Sequence, residues 1–126
     1  MDDKFLVFYQ DENSSYANAK KLLERYSFKV QEEKDKLVAK ANGFTFDVVI
    51  KKGPAIDAKA KEIGKNSSHE SAMNLCNACF VVGVNDLEEA LDEINTLMEI
   101  QGALQDASKG YLFLPWNDSL SAPYLD

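Results

Sequence analysis

Asn42-Gly43 separates two runs of alternating hydrophobicity, residues 36–41 and 44–50. Both residues tolerate the positive φ that a two-residue type I′ turn demands, so the pair predicts a tight β-hairpin. The turn sets the register: Ala41 faces Phe44, Ala39 faces Phe46 and Leu37 faces Val48. All three pairs are apolar and share one face, while Lys40 with Thr45 and Val38 with Asp47 take the other. A slip of one residue would mix the two sets. A large Phe beside a small Ala predicts a helix packed over the apolar face.

Phe5 to Tyr9 is a short, continuous apolar run, as in a buried strand. Tyr16, Ala19, Leu22, Leu23 and Tyr26 recur at helical spacing behind the N-cap candidates Asn13, Ser14 and Ser15. Phe28 to Glu32 alternates like a half-buried strand. Gly53-Pro54 opens a second helix through Ile56, Ala60 and Ile63, which Gly64 ends. Residues 65–74 are polar and read as a loop with one helical turn from Ser68. Leu75 to Val84 reads as a strand.

Asp86 and Glu89 then form a cap-x-x-Glu pattern. Leu87, Ala90, Leu91, Ile94, Leu97, Met98 and Leu104 follow as one apolar stripe. This predicts a single helix to Ser108, roughly 33 Å long at 1.5 Å per residue. Tyr111 to Leu114 is a last strand, stopped by Pro115. The order β-α-β-β-β-α-β-α-β predicts one α+β domain over residues 1–126, with helices on one face of a mostly antiparallel sheet. The plan is partly ferredoxin-like, with extra strands. Residues 117–126 read as a loosely packed tail; Trp116, just before it, is expected to fold back on the domain, and Tyr124 either folds back or anchors a partner.

Charge is distributed unevenly. The formal charge is −7, from 21 acids against 14 Lys and Arg. Seven of the acids, Asp86, Glu88, Glu89, Asp92, Glu93, Glu99 and Asp106, fall in residues 86–108, which hold no Lys or Arg. The other fourteen acids balance the fourteen bases, so the whole net charge belongs to one segment. Glu88, Asp92, Glu99 and Asp106 line up along one helical stripe, with Glu89 and Glu93 beside it. Like charges four apart cost roughly 0.2–0.5 kcal/mol each. The stripe reads either as a solvated face or as a docking face for a basic protein, which it would attract electrostatically. Lys51, Lys52, Lys59, Lys61 and Lys65 cluster elsewhere and either suit a second copy of the chain, as in a homodimer, or simply balance charge. An acidic surface argues against nucleic acid and anionic membranes as partners. With an acidic start and no long apolar run, the sequence reads as cytoplasmic.

Catalytic motifs are few. Cys76 and Cys79 form a C-x-x-C pattern, but on a strand, residues three apart point to opposite faces and lie roughly 10 Å apart. Both are therefore expected as reduced core residues, with no metal or cofactor. His69, the single histidine, is flanked by Ser67, Ser68 and Ser71. It lacks the spacing of zinc deaminases, and the Ser–His proximity alone defines no triad. Size, acidity and the missing chemistry predict a small non-catalytic interaction protein. Its most concrete form is an acidic inhibitor that masks a basic active site, as bacterial toxin-immunity proteins do. Glu88, Glu89, Asp92, Glu93, Glu99, Asp106 and Trp116 are its expected partner-binding residues. Two further readings are a regulatory domain with a small-ligand pocket between sheet and helices, and an enzyme using a thiol or Ser67 to Ser71.

Overall fold

The computed structural model describes residues 3–123. Its strands are β1 (Lys4–Tyr9), β2 (Lys29–Glu33), β3 (Lys36–Ala41), β4 (Phe44–Lys52), β5 (Ala78–Val84), β6 (Tyr111–Leu114) and β7 (Ser119–Ser121). The helices are α1 (Tyr16–Arg25), α2 (Pro54–Gly64), the single turn α3 (Glu70–Met73), α4 (Leu87–Asp92) and α5 (Ile94–Ser108). The seven strands form one sheet in the order β2-β3-β4-β5-β1-β6-β7. Every neighbouring pair is antiparallel. The class is α+β, as the pattern of elements predicts.

The hairpin has the expected register, with Ala39 opposite Phe46 and Leu37 opposite Val48. Asn42 and Gly43 carry φ values of 53° and 85°, as a type I′ turn requires. The Asn42 side chain also donates to Thr96 Oγ1 at 2.8 Å, fastening the turn to α5. Ser15 caps α1 by accepting from the Asn18 amide.

Helices cover both faces of the sheet, not one. On one side α1, α4 and α5 bury Phe5, Val7, Phe46, Phe80 and Val82 against Leu23, Leu97 and Leu104. On the other, α2 and α3 lie over Leu6, Phe8 and Cys79. This explains the apolar run in β1: alternate side chains enter different cores, so no position is left for a polar residue.

The long helix expected over residues 86–108 is broken. Glu93, at φ −110° and ψ 63°, separates α4 from α5. Neither Pro nor Gly stands there. Like-charge pairs Glu88/Asp92 and Glu89/Glu93 weaken the helix at this point, and burial decides the path. Leu87 and Ala90 pack into the core on one side of the break, and Leu97, Ile100 and Leu104 on the other.

The tail is also ordered further than its composition suggests. Ser119 to Ser121 pairs with β6 as an edge strand, with Leu120 opposite Phe113. The buried Gln105 side chain donates to the Gly110 and Ser121 carbonyls at 3.2 and 3.3 Å, which ties that edge to α5. Trp116, in the β6–β7 connection, is half-buried against the main core. Tyr124 lies outside the described residues.

Candidate functional site: an acid-flanked apolar surface at the helix break

The break changes which residues face water. A continuous helix would carry Leu91, Ile94 and Met98 into the core with Leu87 and Leu97. They are instead 36%, 42% and 57% exposed. Ile94 and Met98 stand one turn apart on α5, and Leu91 precedes them by three residues across the break. Single exposed apolar residues are ordinary, but three large ones within eight residues give this stretch an unusual amount of apolar exposure to water.

Of the seven acids of this segment, Asp86 caps α4 by accepting from the Glu89 amide, and the other six divide into two groups. Glu88, Glu89, Asp92 and Glu93 are exposed and flank Leu91 and Ile94 in the chain. None of the four pairs with a Lys or Arg among the described residues. The α4 N-terminus favours the first two, as a helix dipole does. Asp106 instead accepts a hydrogen bond from the Tyr26 hydroxyl. Glu99 borders an open cleft of about 560 Å³ together with Tyr26, Lys29, Lys40 and Asn42. The stripe expected from the sequence is thus split. Glu99 and Asp106 turn toward α1 and the hairpin, while the other four stay with the apolar surface. Trp116 lies in the connection between the last two strands, apart in sequence from both groups. Leu91, Ile94 and Met98 are what sequence periodicity missed, because it assigned them to the core; the crowded acids around residue 92 were the available signal.

The two cysteines sit differently from the strand expectation. The strand begins at Ala78, so Cys76 lies outside its alternation, directly after the α3 turn. The chain arrives from the α2–α3 side, and both sulfurs join the same second core as Leu6, Phe8 and Met73. Ala78, Phe80, Val82 and Val84 face the main core as the pattern requires. Both thiols are free and buried. Burial pushes Cys76 up to about 11 from an ordinary 9.0. Cys79 is raised to about 12, burial again outweighing a backbone hydrogen bond and the charges of Lys59 and Lys51. The thiolate needed for nucleophilic chemistry is therefore suppressed at neutral pH.

Folded thiols that titrate above their unfolded values contribute stability that is complete below about pH 9. As pH rises from 9 toward 12 the unfolded chain ionises first, so stability falls. Burial, aided by the charge of Asp11, pushes the Tyr9 phenol upward as well and acts in the same direction. Native protein should resist iodoacetamide at pH 7.5 and label at both cysteines in urea, with a denaturation midpoint that falls above pH 9. Stoichiometric labelling of the native protein at pH 7.5, read by mass spectrometry, would contradict this.

Ser67 is engaged in local structure. Its hydroxyl donates to the Gly64 carbonyl at 2.7 Å and accepts from the His69 amide. The His69 ring lies against Tyr111, with centroids 5.4 Å apart. Among the described residues no three His, Cys, Asp or Glu side chains are grouped as a metal site requires. No helix among them is long and apolar enough to cross a membrane.

Fold and surface together define a helix-covered antiparallel α+β domain with an acidic, apolar-centred face at one helix junction. No family model, curated protein or solved structure matches the chain.

Proposed function

We propose that this protein is a non-catalytic binding protein whose α4–α5 junction docks on a basic protein partner, in the manner of an acidic inhibitor covering a cationic site. The observation that carries this reading is the exposure of Leu91, Ile94 and Met98 in a segment free of Lys and Arg, whose four flanking carboxylates hold no ion pair among the described residues. The division of labour is physical. Apolar side chains release water on docking and supply affinity. The carboxylates of Glu88, Glu89, Asp92 and Glu93 steer a cationic surface toward them and reject acidic ones. Methionine suits such a surface, since its flexible thioether adapts to the opposing shape.

A helical Leu/Lys amphipathic peptide, with a Leu/Glu peptide of the same pattern as control, tests the face. Wild type should bind the basic peptide, with an on-rate that falls steeply with salt. Glu88→Gln, Glu89→Gln, Asp92→Asn and Glu93→Gln together should slow association about tenfold at low salt and flatten the salt dependence. The fold should hold or strengthen slightly, because like-charge repulsion is relieved. Leu91→Ser with Ile94→Ser and Met98→Ser should act on dissociation instead. Equal binding by wild type and both variants, or equal binding of the acidic peptide, would sink the reading.

A further inference from the structure

The opposite face of the sheet carries a separate cavity. Between α2 and the β1–β5 pair lies a pocket of about 420 Å³, within the range of small-molecule sites. Its floor is Leu6 and Phe8 from β1 and Val81 from β5, and Ile56 of α2 forms a side. The sheet register builds this floor. Leu6 lies opposite Val81, and Phe8, Cys79 and Lys51 form one row across three strands. Strand alternation thus points all of them to the α2 side.

The charged side chains that border the pocket are all cations. Lys4, Lys51 and Lys59 line it, and no carboxylate does. All three are exposed, and none forms an ion pair among the described residues, whereas Lys20, Lys36 and Lys52 each hold a carboxylate. Lys59 and Lys51 also stand near enough to act electrostatically on the thiol of Cys79, which lines the pocket too. In a chain of net charge −7, three ammonium groups without an ion pair among the described residues, set around an apolar hollow, are a local inversion of sign.

We infer that this pocket binds a small amphiphile with an anionic head and an apolar tail, a medium-chain fatty carboxylate, its chain on Leu6, Phe8, Val81 and Ile56, its carboxylate at the Lys51 and Lys59 end, and Lys4 adding positive potential from the other end of the floor. The ammonium groups can only donate hydrogen bonds, so the head must accept. The floor side chains Leu6, Phe8 and Val81 are apolar and suit a hydrocarbon tail better than a sugar or a base. This site is independent of the α4–α5 junction, which lies on the other side of the sheet.

Titration calorimetry with decanoate, held below its micelle concentration, tests the assignment. Wild type should bind one equivalent saturably. Octanoate, two methylenes shorter, should bind about fifteenfold more weakly. Decanol and decyltrimethylammonium, which lack the anion, should each bind at least about tenfold more weakly. Lys4→Gln, Lys51→Gln and Lys59→Gln combined should reduce decanoate affinity to that of decanol and leave decanol unchanged. Val81→Trp, which fills the hollow, should abolish both if circular dichroism shows it folded. Ile94→Ser with Met98→Ser should leave decanoate binding intact. Absence of saturable binding to wild type, or equal affinity for decanol and decanoate, would overturn the proposal. So would self-association of wild type that the lysine substitutions abolish, which would assign the groove to the acidic face of a second copy.

Discussion

Gly110→Ala is expected to lower stability by about 3 kcal/mol, the upper part of the range for forcing atoms into a filled site. Gly110 sits where α5 has ended and the chain turns into β6 across β1. A methyl group there would stand 2.5 Å from Val7 Cγ1, 2.7 Å from Ser108 Oγ and 2.9 Å from the Phe8 carbonyl oxygen. None of the three can yield easily. Val7 is fully buried, the Ser108 hydroxyl is buried and donates to the Leu104 carbonyl, and the Phe8 oxygen belongs to the central strand ladder. Gly102→Ala is the matched control. Its new methyl would meet only the Tyr26 ring, at 4.0 Å, inside α5. It should stabilise by about 0.5–1 kcal/mol, since glycine is a poor helix residue. Urea denaturation followed by circular dichroism reads both. A pair of variants shifted in the same direction would show that the approach of β1 to the end of α5 is wrong.

Phe80→Ala should cost about 3–5 kcal/mol, the range for deleting a buried phenyl ring. That is a large share of the roughly 5–15 kcal/mol that holds a domain folded. Phe80 is fully buried in β5, the middle strand of the seven, with Val7 opposite it on one neighbour and Ile50 on the other. Its ring stacks on Tyr9 with centroids 4.7 Å apart. Met98→Ala removes a side chain of similar hydrophobicity from the helix surface and should change stability by no more than about 0.5 kcal/mol. If Met98→Ala proved as costly as Phe80→Ala, Met98 would be a core residue and the exposed surface at the helix break would not exist.

The two faces of the sheet place opposite charges over apolar surface. At the α4–α5 junction, carboxylates flank Leu91, Ile94 and Met98. Over the β1–β5 floor, lysines border Leu6, Phe8 and Val81. The two sites require different partners and can be tested by separate substitutions. Charge reversal at one leaves the other unchanged at ordinary salt, where screening confines each field to roughly 8–10 Å.

Local chemistry in the sequence was sufficient for the elements that local chemistry controls. Asn42-Gly43 set the hairpin and its register, because positive φ and two-residue alternation leave one consistent pairing. Ser15, Pro54 and the alternation from Ala78 to Val84 marked element starts and faces for the same reason. The acid-only segment was legible as composition, and its charge required no fold to be counted. Three features needed the tertiary structure. Periodicity placed Leu91, Ile94 and Met98 in a buried stripe, but the helix breaks at Glu93 without Pro or Gly, and packing of Leu87 and Leu97 selects the break. Cys76 and Cys79 share a core because Cys76 precedes the strand, a boundary that pattern alone misplaces. The lysine-bordered pocket joins residues 4, 51 and 59, which are brought together only by the strand order β4-β5-β1 and the return of α2 over it. Long-range pairing costs chain entropy that only the summed burial of a complete core repays. It is therefore a property of the whole chain and cannot be read from a local stretch of it.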